Sequence, residues 1–123
     1  MLTSALSGLR VLLVEDELLV AMLIEDLLLD QGCIVVGPLS RVPDALVTAR
    51  HEALDLAVLD VNVAGEKAYP VADVLDARRI PFLFVSGYGQ SAIPANRPGW
   101  SACPKPFQSA KLISMLLTQL GRA

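Results

Sequence analysis

The 123-residue chain is poor in aromatics, at 5%, so its core must be mostly aliphatic. It has only two cysteines, Cys33 and Cys103, and no C-x-x-C pair. That excludes a disulfide framework and a thiolate zinc site, and both thiols read as small buried hydrophobes in a reducing cytosol. The single histidine, His51, reads as an exposed helix-end residue, neither phosphodonor nor metal ligand. There is no block of basic residues, and ten Lys and Arg against thirteen Asp and Glu give a formal charge of −3. Such a chain has no electrostatic reason to seek nucleic acid or anionic lipid. No apolar run is long enough to cross a membrane, since Leu18 to Leu29 is broken by Glu25 and Asp26. Residues 1–9 lack the charged and apolar regions of a secretory leader. These absences predict one cytoplasmic domain over residues 1–123, with a core from about 9 to 121 and no output domain.

What the chain does have is an alternation of two periods, with 54% hydrophobic residues. Continuous apolar or β-branched runs at Arg10–Val14, Cys33–Gly37, Asp55–Asp60, Pro81–Ser86 and Trp100–Cys103 predict strands covered on both faces. Helical patterns fall between them. Glu17–Gln31 is closed by Gly32, and Ser40–Arg50 has Ser40 as N-cap and Pro43 in its first turn. Ala64–Arg79 holds a loop and then a helix with Pro70 near its start, and Phe107–Leu120 is the last helix. The order predicts an α/β, doubly wound parallel sheet with helices on both faces. Gly87–Gly99, with three glycines and two prolines, predicts a mobile loop or at most one helical turn.

In such sheets ligands bind beyond the carboxyl ends of the strands. Those ends carry Glu15 and Asp16, then Asp60, then Ser86, and finally Lys105. Three converging carboxylates repel and raise one another's pKa unless a hard cation sits among them, so they predict Mg2+ or Mn2+. A metal beside an oxygen nucleophile, a lysine and a hydroxyl is equipment for phosphoryl transfer. Asp60 would attack phosphorus, Lys105 would hold a phosphoryl oxygen and Ser86 would donate to another.

Four motifs in order, VLLVEDE at 11–17, VLDVN at 58–62, VSG at 85–87 and KPF at 105–107, resemble response regulator receiver domains. The likeness runs from about Leu9 to Leu120. It implies a flavodoxin-like five-stranded sheet of order 2-1-3-4-5, with the fourth helix here short or missing. It makes Asp60 the phosphoacceptor and a metal ligand, Asp16 a direct ligand and Glu15 a ligand through water. Asn62 would lend its backbone carbonyl to the metal, Ser86 takes the switch position and Lys105 contacts phosphate. The Lys105–Pro106 bond would be cis. The segment PFLFVSGYG is similar to the FATGUY motif of short single-domain regulators. The usual switch aromatic is absent, because Ala102 stands three residues before Lys105. Trp100 points to the other side of the strand from its odd-numbered neighbours, so it is a poor substitute and reads as packing, while Tyr88 is a candidate substitute.

The resemblance implies a histidine kinase or phosphotransfer protein as phosphodonor, and action by protein contact or as phosphate sink or shuttle in a phosphorelay. On the first helix Val20, Leu23, Ile24, Leu27 and Leu28 form a sufficient inward stripe. Leu18, Leu19, Met22 and Leu29 are left over, so Leu18, Met22 and Leu29 are candidates for a partner's helical bundle or a homodimer. Three other readings compete. A phosphorylation-independent binding module would keep the fold alone. A haloacid-dehalogenase-type phosphatase needs a second acid where Asn62 stands. A flavin-binding flavodoxin needs an anion-binding loop where this chain has EDELL.

Overall fold

The computed structural model of the protein describes residues 4–121. Five strands form one parallel sheet: β1 (Arg10–Val14), β2 (Ile34–Leu39), β3 (Leu56–Asp60), β6 (Phe82–Ser86) and β7 (Ala102–Pro104). Their spatial order is β2-β1-β3-β6-β7, which is 2-1-3-4-5 when only these strands are counted. β3 and β6 are buried at every residue, as central strands covered on both faces must be. Alternation divides their side chains between two apolar layers. Leu12, Ala57, Leu59, Phe82 and Phe84 meet α2 (Val42–His51) and α3 (Tyr69–Ala77). Leu13, Val58, Leu83 and Val85 meet α1 (Leu18–Asp30) and α4 (Ser109–Gln119). The doubly wound expectation is thereby met, and the fourth crossover carries only a short 3-10 turn, Gly89–Ala92.

Several local expectations are corrected. β2 does not stop before Pro38 but continues to Leu39, through a cis Gly37–Pro38 bond. An edge strand tolerates proline because its outer N–H needs no partner. Gly37 has φ +115°, and a Cβ there would stand 2.7 Å from the Leu13 carbonyl oxygen, so only glycine fits. The extension matters for the site, since the Leu39 carbonyl accepts the Glu15 N–H at 2.9 Å. Ser40 does not cap α2; Arg41 occupies the N-cap without a side-chain hydrogen bond. The stretch after β3 is not plain loop. β4 (Asn62–Val63) and β5 (Glu66–Lys67) form an antiparallel hairpin across Ala64 and Gly65, both at positive φ, as a tight two-residue turn requires. The last strand is Ala102–Pro104, two residues later than expected at its start.

The inward stripe of α1 is Ala21, Ile24, Leu27 and Leu28. Val20 is half-buried and Leu23 is 53% exposed, so the stripe lies further round the helix than the leucine pattern suggested. Leucines on nearly every face hide the phase, and the small Ala21 takes the close contact.

Candidate functional site

Because the strands are parallel, their carboxyl ends share one lip of the sheet. Glu15 and Asp16 follow β1, Asp60 ends β3, Ser86 ends β6 and Lys105 follows β7. A carboxylate oxygen of each of Glu15, Asp16 and Asp60 lies within 4.8 Å of the others. Glu15, Asp60 and Ser86 are buried, and Asp16 is exposed. Asp16 is oriented by the hairpin, its Oδ2 accepting the Ala64 N–H at 2.9 Å. Glu15 Oε2 accepts the Glu17 N–H at 3.2 Å.

Lys105 reaches into this cluster. Its Nζ stands 2.9 Å from Glu15 Oε1, 3.5 Å from Asp60 Oδ1 and 4.0 Å from Glu17 Oε1. The Lys105–Pro106 bond is cis, as the motif implied. The Glu15 carboxyl is raised to about 7: burial raises it most, the Lys105 hydrogen bond lowers it, and Asp60 raises it. For Lys105, burial works downward, but the Glu15 hydrogen bond and the charges on Asp60, Glu15 and Glu17 outweigh it and raise its pKa. One ammonium thus faces several carboxylates, and the cluster keeps surplus negative charge. Its donors are all carboxylate oxygens, partly open to solvent through Asp16, which is the donor set a hard divalent cation takes.

At the β6–β7 lip the Ser86 carbonyl accepts the Lys105 N–H at 2.9 Å, so the hydroxyl and the lysine are held in register. The Ser86 Oγ accepts the Tyr88 N–H at 3.1 Å. Asn62 opens the hairpin beside Asp60, with its side chain in solvent.

No family model and no curated protein sequence matches the chain. Solved structures do. The chain is 37% identical to SdrG from Sphingomonas melonis Fr1, covering 95% of this chain and 98% of that one, with a TM-score of 0.79. It is 25% identical to the REC domain of the Erythrobacter litoralis response regulator PhyR, covering 96% and 94%, with a TM-score of 0.82. The chain is a response regulator receiver domain. In fold it is also similar to the receiver domain of the sensor histidine kinase PA1611 from Pseudomonas aeruginosa PAO1. That match has 24% identity, 94% and 99% coverage and a TM-score of 0.76, and that protein holds a magnesium ion in its active site cleft.

Two features of this receiver concern the segment before β7. Trp100 lies on the other side from its odd-numbered neighbours, as expected, and shares the layer under α2 and α3 with Ala102, while Cys103 faces the other layer. The indole packs against Phe82, Phe84 and Tyr69, with centroids 5.5 to 6.3 Å away, and its Nε1 donates to Asp76 Oδ2 at 2.7 Å. Arg97 lies 5.3 Å over the indole and pairs with Asp73 at 2.9 Å. Gly87–Gly99 holds one 3-10 turn, within the expected limit of one helical turn, and the segment is tied down by side chains. Its Gln90 side chain bonds to Trp100 and to Ala102 of β7, its Arg97 side chain bonds to α3, and the Tyr69 hydroxyl donates to the Ala92 carbonyl. Tyr88 is 78% exposed and borders a cleft with Asn62, Lys67 and Ser91.

The receiver's α1 leaves Leu18, Leu19, Met22, Leu23 and Leu29 about half or more in solvent. Leu23 lines two grooves, one beside Lys105, Pro106 and Phe107, the other between α1 and α4. The sequence reading missed Leu23, Glu17 as a fourth acid near Lys105, and the Ala64 amide on Asp16. Only Glu17 left a signal, in the run EDE. Among the described residues no helix is long and apolar enough to cross a membrane.

Proposed function

We propose that this receiver accepts a phosphoryl group on Asp60 from a phosphohistidine of a histidine kinase or phosphotransfer protein, with Mg2+ as cofactor. The observation that carries this reading is the three-carboxylate cluster with the Lys105 ammonium 3.5 Å from Asp60. Glu15, Asp16, Asp60 and the Asn62 backbone carbonyl are the groups that would hold the cation. When bound, it would neutralise charge on the transferring phosphoryl oxygens. An Asp60 carboxylate oxygen forms the new O–P bond, the donor's P–N bond breaks, and its electron pair returns to the imidazole nitrogen. Lys105 exchanges part of its attraction to Glu15 for a phosphoryl oxygen. The Ser86 hydroxyl donates to another oxygen. Burial of Glu15 and Asp60 strengthens each of these interactions.

The half-exposed apolar residues of α1 and the groove beside Phe107 support docking of a partner's helical bundle next to Lys105. We infer that Leu18, Met22 and Leu23 line that contact, and that the domain signals by protein contact or passes its phosphoryl group on.

The test is incubation with Mg2+ and acetyl phosphate, read by intact mass. The wild type should gain one phosphoryl group, and Asp60→Ala should gain none. An equal gain in both, or a gain in neither, would overturn the proposal. Phosphate-monoester turnover would favour the phosphatase reading instead.

A further inference from the structure

The loop between Ser86 and Trp100 is fastened to the outer edge of β7 by one side chain. Gln90 Nε2 donates to the Trp100 carbonyl at 2.8 Å, and Gln90 Oε1 accepts the Ala102 N–H at 3.1 Å. These two backbone groups belong to residues two apart and face the same side of the strand. One residue of a neighbouring parallel strand would satisfy the same pair. The inner side of β7 is already taken, since the Ser101 carbonyl accepts the Phe84 N–H at 3.0 Å and the Lys105 N–H binds Ser86. Pro104 has no N–H to offer on the outer side. The Gln90 carboxamide therefore closes the one outward N–H that residues 102–104 present, and stands in for a missing strand.

The same loop begins at the switch hydroxyl. Tyr88 N–H donates to Ser86 Oγ at 3.1 Å, Ser91 N–H to the Tyr88 carbonyl at 3.2 Å and Ile93 N–H to the Gln90 carbonyl at 3.1 Å. Gly89, buried at φ +56°, lets the turn lie on β7 so closely that a Cβ would stand 3.4 Å from Pro104 Cβ. Ser86 and the β7 edge are thus two ends of one short hydrogen-bonded turn. Ala102 offers only a methyl, so no side-chain lever runs through the strand at that position.

We propose that Gln90 is a latch. Its carboxamide holds the loop behind Ser86 against β7 while Asp60 is unmodified. It lets go of the Trp100–Ala102 edge when Ser86 turns toward a phosphoryl group. This rests on the phosphoacceptor reading of Asp60. The physical reason is reach: Tyr88 N–H must follow Ser86 Oγ or lose it, the turn carries that displacement to Gln90, and bonds of 2.8 and 3.1 Å weaken steeply once stretched.

The experiment is amide hydrogen exchange by NMR on the wild type, Gln90→Leu and Gln90→Glu, with and without Mg2+ and beryllofluoride. Without the phosphate mimic, Ala102 N–H should exchange about tenfold faster in Gln90→Leu than in wild type. Gln90→Glu keeps the acceptor but sets an oxygen against the Trp100 carbonyl, so its protection should also fall. With the mimic, wild-type Ala102 should approach the Gln90→Leu rate, while Phe84 N–H, bonded to the inner side of β7, stays protected throughout. Fluorescence of Trp100, the chain's one tryptophan, should respond to the mimic in wild type and not in Gln90→Leu. Equal Ala102 protection in wild type and Gln90→Leu would overturn the latch. Unchanged wild-type protection with the mimic, while acetyl phosphate does modify Asp60, would overturn its release. No modification of Asp60 would overturn the phosphoacceptor reading and the coupling together, and the comparison without the mimic would still decide whether Gln90 holds the edge.

Discussion

Replacing Asp60 with asparagine should change the stability of the metal-free protein with opposite signs on the two sides of pH 7. The Asp60 charge is repelled by Glu15 and Asp16 within 4.8 Å and attracted by Lys105 at 3.5 Å. At the 4.8 Å limit and an effective dielectric of about 20, each repulsion costs about 3.5 kcal/mol, that of the exposed Asp16 being further screened by solvent, and the attraction contributes about 4.7 kcal/mol. Above pH 7 Glu15 is ionised, so both repulsions act. Removing the charge then stabilises the fold by about 2 kcal/mol. Below pH 7 Glu15 holds its proton in the wild type, because burial, with Asp60 beside it, raises its pKa to about 7. Only the Asp16 repulsion remains, and the same substitution destabilises by about 1 kcal/mol. Asparagine keeps the shape of the side chain, so cavity terms do not enter. Urea unfolding of both proteins in chelator, at about pH 6 and about pH 8, reads the two differences directly. A stability change of the same sign at both pH values would refute the assignment of Glu15 as the group whose proton decides the balance.

Other outcomes follow from the same contacts. Wild-type stability without metal should fall as pH rises from about 4.5 to about 7. The folded Glu15 keeps a proton there that the unfolded chain has lost, and thermal unfolding across this window checks it. Mg2+ should stabilise the protein with an affinity that weakens as pH falls through about 7, because the raised Glu15 pKa makes proton and metal compete; thermal shift against Mg2+ concentration measures it. Trp100→Phe should lose about 1 kcal/mol through the broken bond to Asp76, read by urea unfolding, and Asp76→Ala should add little to it. Ala64→Gly should gain about 1 kcal/mol, because Ala64 sits at φ +51° where a side chain is strained, and a loss instead would contradict that geometry.

The site was more legible in the sequence than the fold around it. Parallel strands that alternate with helices have to put their carboxyl ends on one lip. Hence Glu15, Asp16, Asp60, Ser86 and Lys105 could be gathered from strand endings alone, without any knowledge of tertiary contacts. The β6 and β3 runs were equally plain, since a strand buried on both faces must be apolar throughout. Legibility failed where a polar or small residue acts through its backbone. The Asn62–Lys67 hairpin depends on Ala64 adopting positive φ, which its residue type disfavours, so its sequence gave no Asn-Gly signal. Ser40 is a good capping residue by type, yet β2 runs on to Leu39 and the helix begins after Arg41.

The remaining misreading is one of phase. Leucine occupies so many positions of α1 that any stripe can be drawn through it, and only packing decides that Ala21 faces the sheet while Leu23 faces solvent. For Trp100 the phase was legible: it lies on the other side from its odd-numbered neighbours, and the register that pairs Phe84 with Ala102 puts it under α3. For α1 the residue composition was sufficient and the rotational setting was not. That setting also bears on function. The displaced α1 stripe turns Leu23 toward the groove beside Lys105 and Phe107, and the strand register puts the indole among Tyr69, Phe82 and Phe84, where it fills space beside a crossover that carries only one 3-10 turn. The apolar surface of α1 therefore lies next to the acidic lip that holds Asp60, while the aromatic cluster closes the opposite layer.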